Sequence, residues 1–89
     1  MFYVYSKPNC AFCDQAKALL SSHELPYQEI MLDVGQPKKD GQQYIQREEL
    51  FELFPGARTV PQIALRADGQ RQVVGGFTEL RAMLSTSHA

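Results

Sequence analysis

The chain has 89 residues, of which 44% are hydrophobic, and it carries a formal net charge of −1. A chain of this length is expected to form one domain, over residues 1–89, with a modest core. The near-neutral charge without a basic stripe argues against nucleic acid as a partner, and no apolar run approaches the roughly 20 residues that a membrane span needs. Two cysteines are too few for the disulfide framework of a small secreted domain, and too few to form a tetrahedral zinc site unaided.

The start of the chain carries no export signal. Residues 1–5 lack the basic region and the long apolar stretch of a secretory signal peptide. We therefore expect a cytoplasmic protein. In that reducing compartment, a C-x-x-C pair favours redox chemistry over a structural disulfide.

The first half of the chain predicts two strands and one helix. Residues 2–5 form a nearly continuous apolar run, which is typical of a strand covered on both faces. From Phe12 onward apolar residues recur at helical spacing, and Pro26 stops this helix. Residues 27–32 predict a second strand, and the polar segment 33–43 predicts the longest loop.

The second half of the chain predicts two helices and a hairpin. Its elements are a helix over 45–54, strands over 62–66 and 72–74, and a helix over 78–84. Asp68 and Gly69 favour a tight turn between the two strands, and residues 85–89 are expected to fray. The order β-α-β-α-β-β-α predicts an α/β fold with a four-stranded mixed sheet flanked by helices. The expected core residues are Val4, Leu20, Ile30, Leu50, Ile63 and Leu80.

The two cysteines, Cys10 and Cys13, lie at the predicted start of the first helix. A thiol at that place ionises more easily, because the helix dipole and the free backbone N–H groups stabilise a thiolate. Lys7 adds a nearby cation that favours the thiolate further, although a solvated loop lysine also explains it. The spacing therefore predicts thiol–disulfide exchange, with Cys10 as the nucleophile and Cys13 as the resolving thiol.

Three separated motifs occur along the chain: Cys10-Ala11-Phe12-Cys13, Thr59-Val60-Pro61-Gln62-Ile63 and Gly75-Gly76-Phe77-Thr78-Glu79. Together with the predicted element order, they resemble the glutaredoxin family, dithiol type, within the thioredoxin fold. The resemblance covers nearly the whole chain, whose compact form is similar to glutaredoxins of large bacteriophages. Ala11 and Phe12 replace the Pro-Tyr pair that is usual between the cysteines. The resemblance therefore leaves the redox potential open.

The resemblance implies a glutathione-dependent thiol–disulfide oxidoreductase that reduces protein disulfides and glutathione mixed disulfides through Cys10 and Cys13. Glutathione is then the reducing co-substrate, no metal is expected, and the protein acts as a monomer. The glutathione-binding residues that the resemblance implies are Phe12, Arg58, Thr59, Val60, Pro61, Gly75, Gly76, Phe77, Thr78 and Glu79. Pro61 is expected to follow a cis peptide bond. Glu79 stands near the place where many members use an aspartate to meet the glutathione amine. For Arg58, an exposed structural role is as good an explanation as a contact with glutathione.

Two other functions stay open at this point. The first is a thioredoxin-like hydrogen donor, reduced by a flavin-dependent reductase and serving, for example, ribonucleotide reductase. The second is an iron–sulfur carrier, in which Cys10 of two chains and two glutathiones hold a cluster. The second role belongs mostly to single-cysteine relatives, so Cys13 weighs against it. Turnover with thioredoxin reductase alone would favour the first, and a brown dimer purified without air would favour the second.

Overall fold

Strands and helices alternate along the chain in a computed structural model that describes residues 1–86. The elements are β1 (Phe2–Ser6), α1 (Ala11–Ser22), β2 (Tyr27–Leu32), β3 (Gln43–Ile45), α2 (Arg47–Leu53), β4 (Gln62–Ala67), β5 (Gln70–Gly75) and α3 (Phe77–Thr86). The strands form one mixed sheet in the order β3-β2-β1-β4-β5. None of the helices in these residues is long and apolar enough to cross a membrane.

Strand β1 lies at the centre of the sheet. It pairs parallel with β2, where Phe2 lies opposite Tyr27, and antiparallel with β4, where Phe2 lies opposite Leu65. The parallel pairing needs a crossover connection, and α1 supplies it. Because only the short loop 7–10 separates β1 from α1, the cysteines lie at the carboxyl end of the central strand.

The predicted four-stranded sheet has a fifth strand, and this corrects the strand count but not the fold class. Strand β3 pairs parallel with β2, with Met31 opposite Tyr44. It occupies the end of the predicted loop and the start of the predicted helix. Three residues with polar neighbours show no clear alternation, so their pattern carried no strand signal. Since Ile45 belongs to this strand, α2 begins at Arg47 rather than at Ile45.

Two apolar clusters cover the two faces of the sheet. The neighbouring β1 residues Val4 and Tyr5 belong to different clusters, because successive side chains of a strand point to opposite faces. Helices α1 and α3 pack on the Val4 face, and α2 packs on the Tyr5 face. All six expected core residues are buried. Phe12, in contrast, begins the predicted helical pattern but is 59% exposed and stays outside both clusters.

A polar cluster beneath the cysteines fixes α1 to the sheet. The buried Ser6 hydroxyl donates to Glu29 Oε2 at 2.6 Å, and Lys17 Nζ forms an ion pair with the same oxygen at 2.6 Å. Burial alone raises the pKa of Glu29, but the bonds from Lys17 and Ser6 outweigh it, and the net pKa lies below its usual value. This cluster ties β1, β2 and α1 together.

Several element ends differ from the prediction by a few residues. Strand β5 is longer at both ends than the predicted 72–74. Helix α3 continues to Thr86, past the predicted end at Leu84. Residues 87–89 of the expected frayed tail lie outside the described residues.

Candidate active site

Cys10 is the residue that caps the start of α1. Its backbone is extended (φ −117°, ψ 105°), and its Sγ accepts a hydrogen bond from the Cys13 N–H at 3.2 Å. The Cys10 carbonyl accepts from the Asp14 N–H at 3.1 Å, which closes the first helical turn. A sulfur in this capping position replaces the usual oxygen acceptor, so negative charge on it faces the positive end of the helix.

The chain reaches this position through a sharp turn at Asn9. Asn9 has a φ of 57°, in the left-handed region that asparagine tolerates better than most residues. The turn redirects the backbone from β1 into α1. The Cys10 sulfur is thereby placed beyond the carboxyl end of the central strand β1.

Cys10 and Cys13 form a disulfide, with their Cα atoms 5.2 Å apart. Cys13 is only 1% exposed, whereas Cys10 is partly exposed. An external thiol or disulfide therefore reaches Cys10 first. This difference fits the predicted division of roles between an attacking and a resolving cysteine.

The segment before β4 approaches the cysteines from the other side. The Val60 carbonyl oxygen lies 3.9 Å from Cys10 Sγ, and the Val60–Pro61 peptide bond is cis, as expected. A group bonded to Cys10 therefore lies beside the Val60 backbone.

The Gly75-Gly76 turn forms the third wall of the site. Gly75 has a φ of +118°, and a Cβ added there would lie 2.8 Å from Glu79 Cγ. The Gly76 N–H donates to Glu79 Oε1 at 2.7 Å, so Glu79 closes the first turn of α3 as in a capping box. A Cβ on Gly76 would lie 3.5 Å from the Pro61 carbonyl oxygen, which shows that this turn packs close to Pro61.

A groove of about 650 Å³ brings the three motifs together. Nine of the ten residues implied for glutathione binding line it: Phe12, Thr59, Val60, Pro61, Gly75, Gly76, Phe77, Thr78 and Glu79. The rings of Phe12 and Phe77 lie 6.0 Å apart between centroids. Both rings line the groove, and Phe12 lies between the two cysteines in sequence.

Two of the predicted site residues do not join the groove. Arg58 is exposed and does not line it. Lys7 is exposed in the loop before Cys10, and no hydrogen bond or ion pair of Lys7 is seen in the described part of the chain.

Five further residues line the groove without having been predicted as site residues. They are Phe54, Pro55, Ala57, Gln62 and Val73. Phe54 and Pro55 were interpreted only as the end of a helix, and Val73 only as part of a strand. Phe54, Pro55 and Ala57 could have been predicted as groove residues from their position just before Thr59, because this segment leads the chain into the second motif.

Within residues 1–86, no group of three or more His, Cys, Asp or Glu side chains is arranged to hold a metal ion.

Known proteins resemble this chain in sequence and in fold. The glutaredoxin family model matches residues 3–70. Glutaredoxin 3 from Escherichia coli K12 is 38% identical over 80 residues, which cover 90% of this chain and 81% of that protein, and the same figures hold for glutaredoxin 3 from Escherichia coli O157:H7. The crystal structure of glutaredoxin 1 from Francisella tularensis, complexed with cacodylate, matches with a TM-score of 0.64 at 21% identity and covers 98% of this chain and 94% of that one. This structural match supports the thioredoxin-like fold.

Proposed function

This chain belongs to the glutaredoxin family, and on that premise we propose that it is a glutathione-dependent enzyme that reduces protein disulfides and glutathione mixed disulfides. Its Cys10–Cys13 pair is the redox-active centre of a thiol–disulfide oxidoreductase. The observation that carries the proposal is the position of Cys10. Its sulfur caps α1 and adjoins a groove formed by all three motifs.

The reduction of a protein disulfide uses both cysteines. The Cys10 thiolate attacks one sulfur of the substrate, a Cys10–substrate disulfide forms, and the second substrate sulfur leaves as a thiolate that takes up a proton. The Cys13 thiolate then attacks Cys10 Sγ and releases the first substrate sulfur. Two electrons have passed to the substrate, and the enzyme holds its Cys10–Cys13 disulfide. Two glutathione molecules reduce that disulfide and leave as glutathione disulfide.

A glutathione mixed disulfide needs only Cys10. The Cys10 thiolate takes up the glutathionyl group and releases the substrate thiol. A second glutathione attacks the mixed disulfide, forms glutathione disulfide and restores the Cys10 thiolate. Lys7, in the loop before Cys10, is proposed to favour that thiolate through its charge.

The groove offers backbone groups for glutathione. We assign the Val60 N–H and C=O to the glutathione backbone, which then pairs with this segment like one short added strand. The first-turn N–H groups of α3 and the Thr78 hydroxyl are suited to the γ-glutamyl carboxylate, because helix starts favour negative charge. The Gly76 N–H is already bonded to Glu79, so the carboxylate is left with the amides that follow.

The setting of the reaction is also part of the proposal. We place the protein in the cytoplasm, as a monomer, with glutathione and with disulfide-containing or glutathionylated proteins as its partners. Ribonucleotide reductase is one disulfide-containing protein that such an enzyme would reduce. Membership of the glutaredoxin family supports glutathione and disulfide substrates as partners.

The test is glutathione-coupled turnover of a glutathionylated peptide and of a protein disulfide by the wild type, Cys10→Ser and Cys13→Ser. Cys10→Ser should lose both activities, and Cys13→Ser should keep only the reduction of the glutathionylated peptide. Turnover with thioredoxin reductase but not with glutathione would instead identify a reductase-fed hydrogen donor. A brown dimer after anaerobic purification, with no turnover of either substrate, would identify an iron–sulfur carrier.

A further inference from the structure

The groove beside Cys10 extends past the three motifs onto an apolar surface, which we call the apolar shelf. It consists of Phe54, Pro55, Ala57 and Val73. Val73 comes from β5, the edge strand of the sheet, and is 54% exposed. A large exposed apolar side chain that lines a groove is a stronger sign of binding than a scattered one.

Two contacts of Phe54 hold the shelf in place. The Phe54 ring is buried and packs edge-on against Tyr5, with the ring centroids 5.2 Å apart. The Arg71 guanidinium lies 4.8 Å from the centroid of the Phe54 ring and donates to the Leu53 carbonyl at 3.1 Å. These contacts come from β1 and β5, so the shelf is preformed rather than created by a ligand.

Glutathione does not account for the shelf. Its glutamyl, cysteinyl and glycyl units carry no apolar side chain that would fill such a surface. The four shelf residues carry no charge, and the charged side chain that lines the groove, Glu79, belongs to α3. A ligand that uses the shelf therefore gains mainly from apolar burial.

The chemistry of the site determines which molecule lies against the shelf. While a protein disulfide is being reduced, the chain joined to Cys10 is the one that carries the attacked sulfur. Phe12 follows Cys10 closely in sequence, and the Val60 carbonyl oxygen lies 3.9 Å from Cys10 Sγ. Phe12 and Val60 line the same groove as Val73. The residues that flank the substrate cysteine are therefore the groups brought toward the shelf.

We propose that the apolar shelf binds a large apolar side chain close in sequence to the reacting cysteine of a protein disulfide. The shelf thereby selects among protein substrates. This inference rests on the proposed function and specifies its substrate class. The covalent step is the one given above: Cys10 bonds to the peptide sulfur, the peptide disulfide breaks, and Cys13 then releases the peptide.

The test uses symmetric peptide disulfides, in which either half gives the same product. Each peptide has one cysteine in a Gly/Ser background, with leucine or serine at a single position within two residues of it. The protein is reduced and freed of reductant, then mixed with peptide, and the released peptide thiol is measured after an acid quench. Because no glutathione is present, the result does not depend on which reductant serves the enzyme.

At one or more positions, leucine should raise the second-order rate constant about fivefold over serine, as expected for partial burial of one side chain. In Val73→Ser this leucine-to-serine ratio should fall close to one. Val34→Ser is the matched control, because Val34 is similarly exposed, at 58%, but lies outside the groove, and its ratio should equal that of the wild type.

Equal rates for all peptides with wild-type protein would overturn the inference, and so would a leucine preference that survives in Val73→Ser. A failure of the proposed function has a different signature. In that case the reduced protein still distinguishes the peptides in a single turnover, but glutathione does not support continuous turnover.

Discussion

At the scale of single residues, the Glu79 side chain packs tightly against the backbone of Gly75. The Glu79 side chain folds over Gly75 and ends on the Gly76 N–H at 2.7 Å. Only a residue without a Cβ leaves room for this path, and the φ of +118° at Gly75 also suits glycine alone. Glycine at position 75 is thus required by the capping contact itself, whatever the groove binds.

We therefore expect Gly75→Ala to lower the free energy of unfolding by about 2 kcal/mol, because the new methyl group overlaps Glu79 and the backbone is strained. Urea denaturation measures this change. Gly35→Ala is the control, since Gly35 has a φ of +85° but open space around its Cα. It should cost about 1 kcal/mol, from the backbone alone. Equal losses in both variants would mean that the Glu79 contact is unimportant.

At the scale of elements, the cluster of Ser6, Lys17 and Glu29 joins three elements below the cysteines. Lys17 Nζ also lies 3.5 Å from Asp14 Oδ1, in the first turns of α1. Burial lowers the pKa of Lys17, but the hydrogen bond to Glu29 and the charge of Glu29 together raise it by more than burial lowers it. The net pKa of Lys17 therefore lies above its usual value. The orientation of the cysteine helix thus depends on a charged pair.

The lowered pKa of Glu29 sets the direction of its pH effect. Its contribution to stability is fully present above the ordinary glutamate pKa of 4.5 and is lost as the pH falls through the lower, folded value. We expect Glu29→Gln to cost about 1–2 kcal/mol at pH 7 and distinctly less at about pH 3. Urea denaturation at both pH values measures the difference. Glu52→Gln, which changes an exposed carboxylate of α2, should show little effect at either pH, and an unchanged cost of Glu29→Gln at low pH would contradict this account.

The elements that the sequence predicted well were those with a clear period. Residues 27–32 form β2 as predicted, because Ile30 and Leu32 alternate with other residues on one face, and Pro26 and a polar loop mark the two ends. Strand β3 was missed because it is a three-residue edge strand whose only partner is β2. Tertiary pairing, rather than a local pattern, decides its conformation.

At the scale of the whole molecule, stability rests on two small apolar clusters, one on each face of the sheet. The cluster below α2 has only four buried members: Leu32, Leu50, Phe54 and Ala64. Phe54 belongs to it and also lines the groove. Changes in this cluster are therefore expected to reach the site.

We predict that Leu50→Ala lowers the free energy of unfolding by about 2–5 kcal/mol, since Leu50 is fully buried and its truncation leaves a cavity. Because small domains are marginally stable, this loss is a large part of the total. Thermal denaturation measures it. Leu53→Ala, in the same helix but at 36% exposure, should cost less than about 1 kcal/mol. Similar losses at the two positions would contradict the assignment of the α2 face.

The site as a whole was predictable only where motifs marked it. The three motifs contain ten residues that line the groove, namely the nine predicted site residues and Gln62, whereas Phe54, Pro55, Ala57 and Val73 lie outside every motif. Their place depends on how α2 and β5 pack around Phe54. That packing is a property of the folded chain and leaves no local pattern in the sequence.

The most direct test of the central claim is the intact mass of the Cys13→Ser protein after incubation with oxidised glutathione. We predict one glutathionyl adduct, located on Cys10 by peptide mapping and removed by added glutathione. The Cys10→Ser protein should gain none under the same conditions, because Cys13 is 1% exposed. No adduct on the Cys13→Ser protein, or an equal adduct on the Cys10→Ser protein, would contradict the assignment of Cys10 as the nucleophile of a glutathione-dependent enzyme.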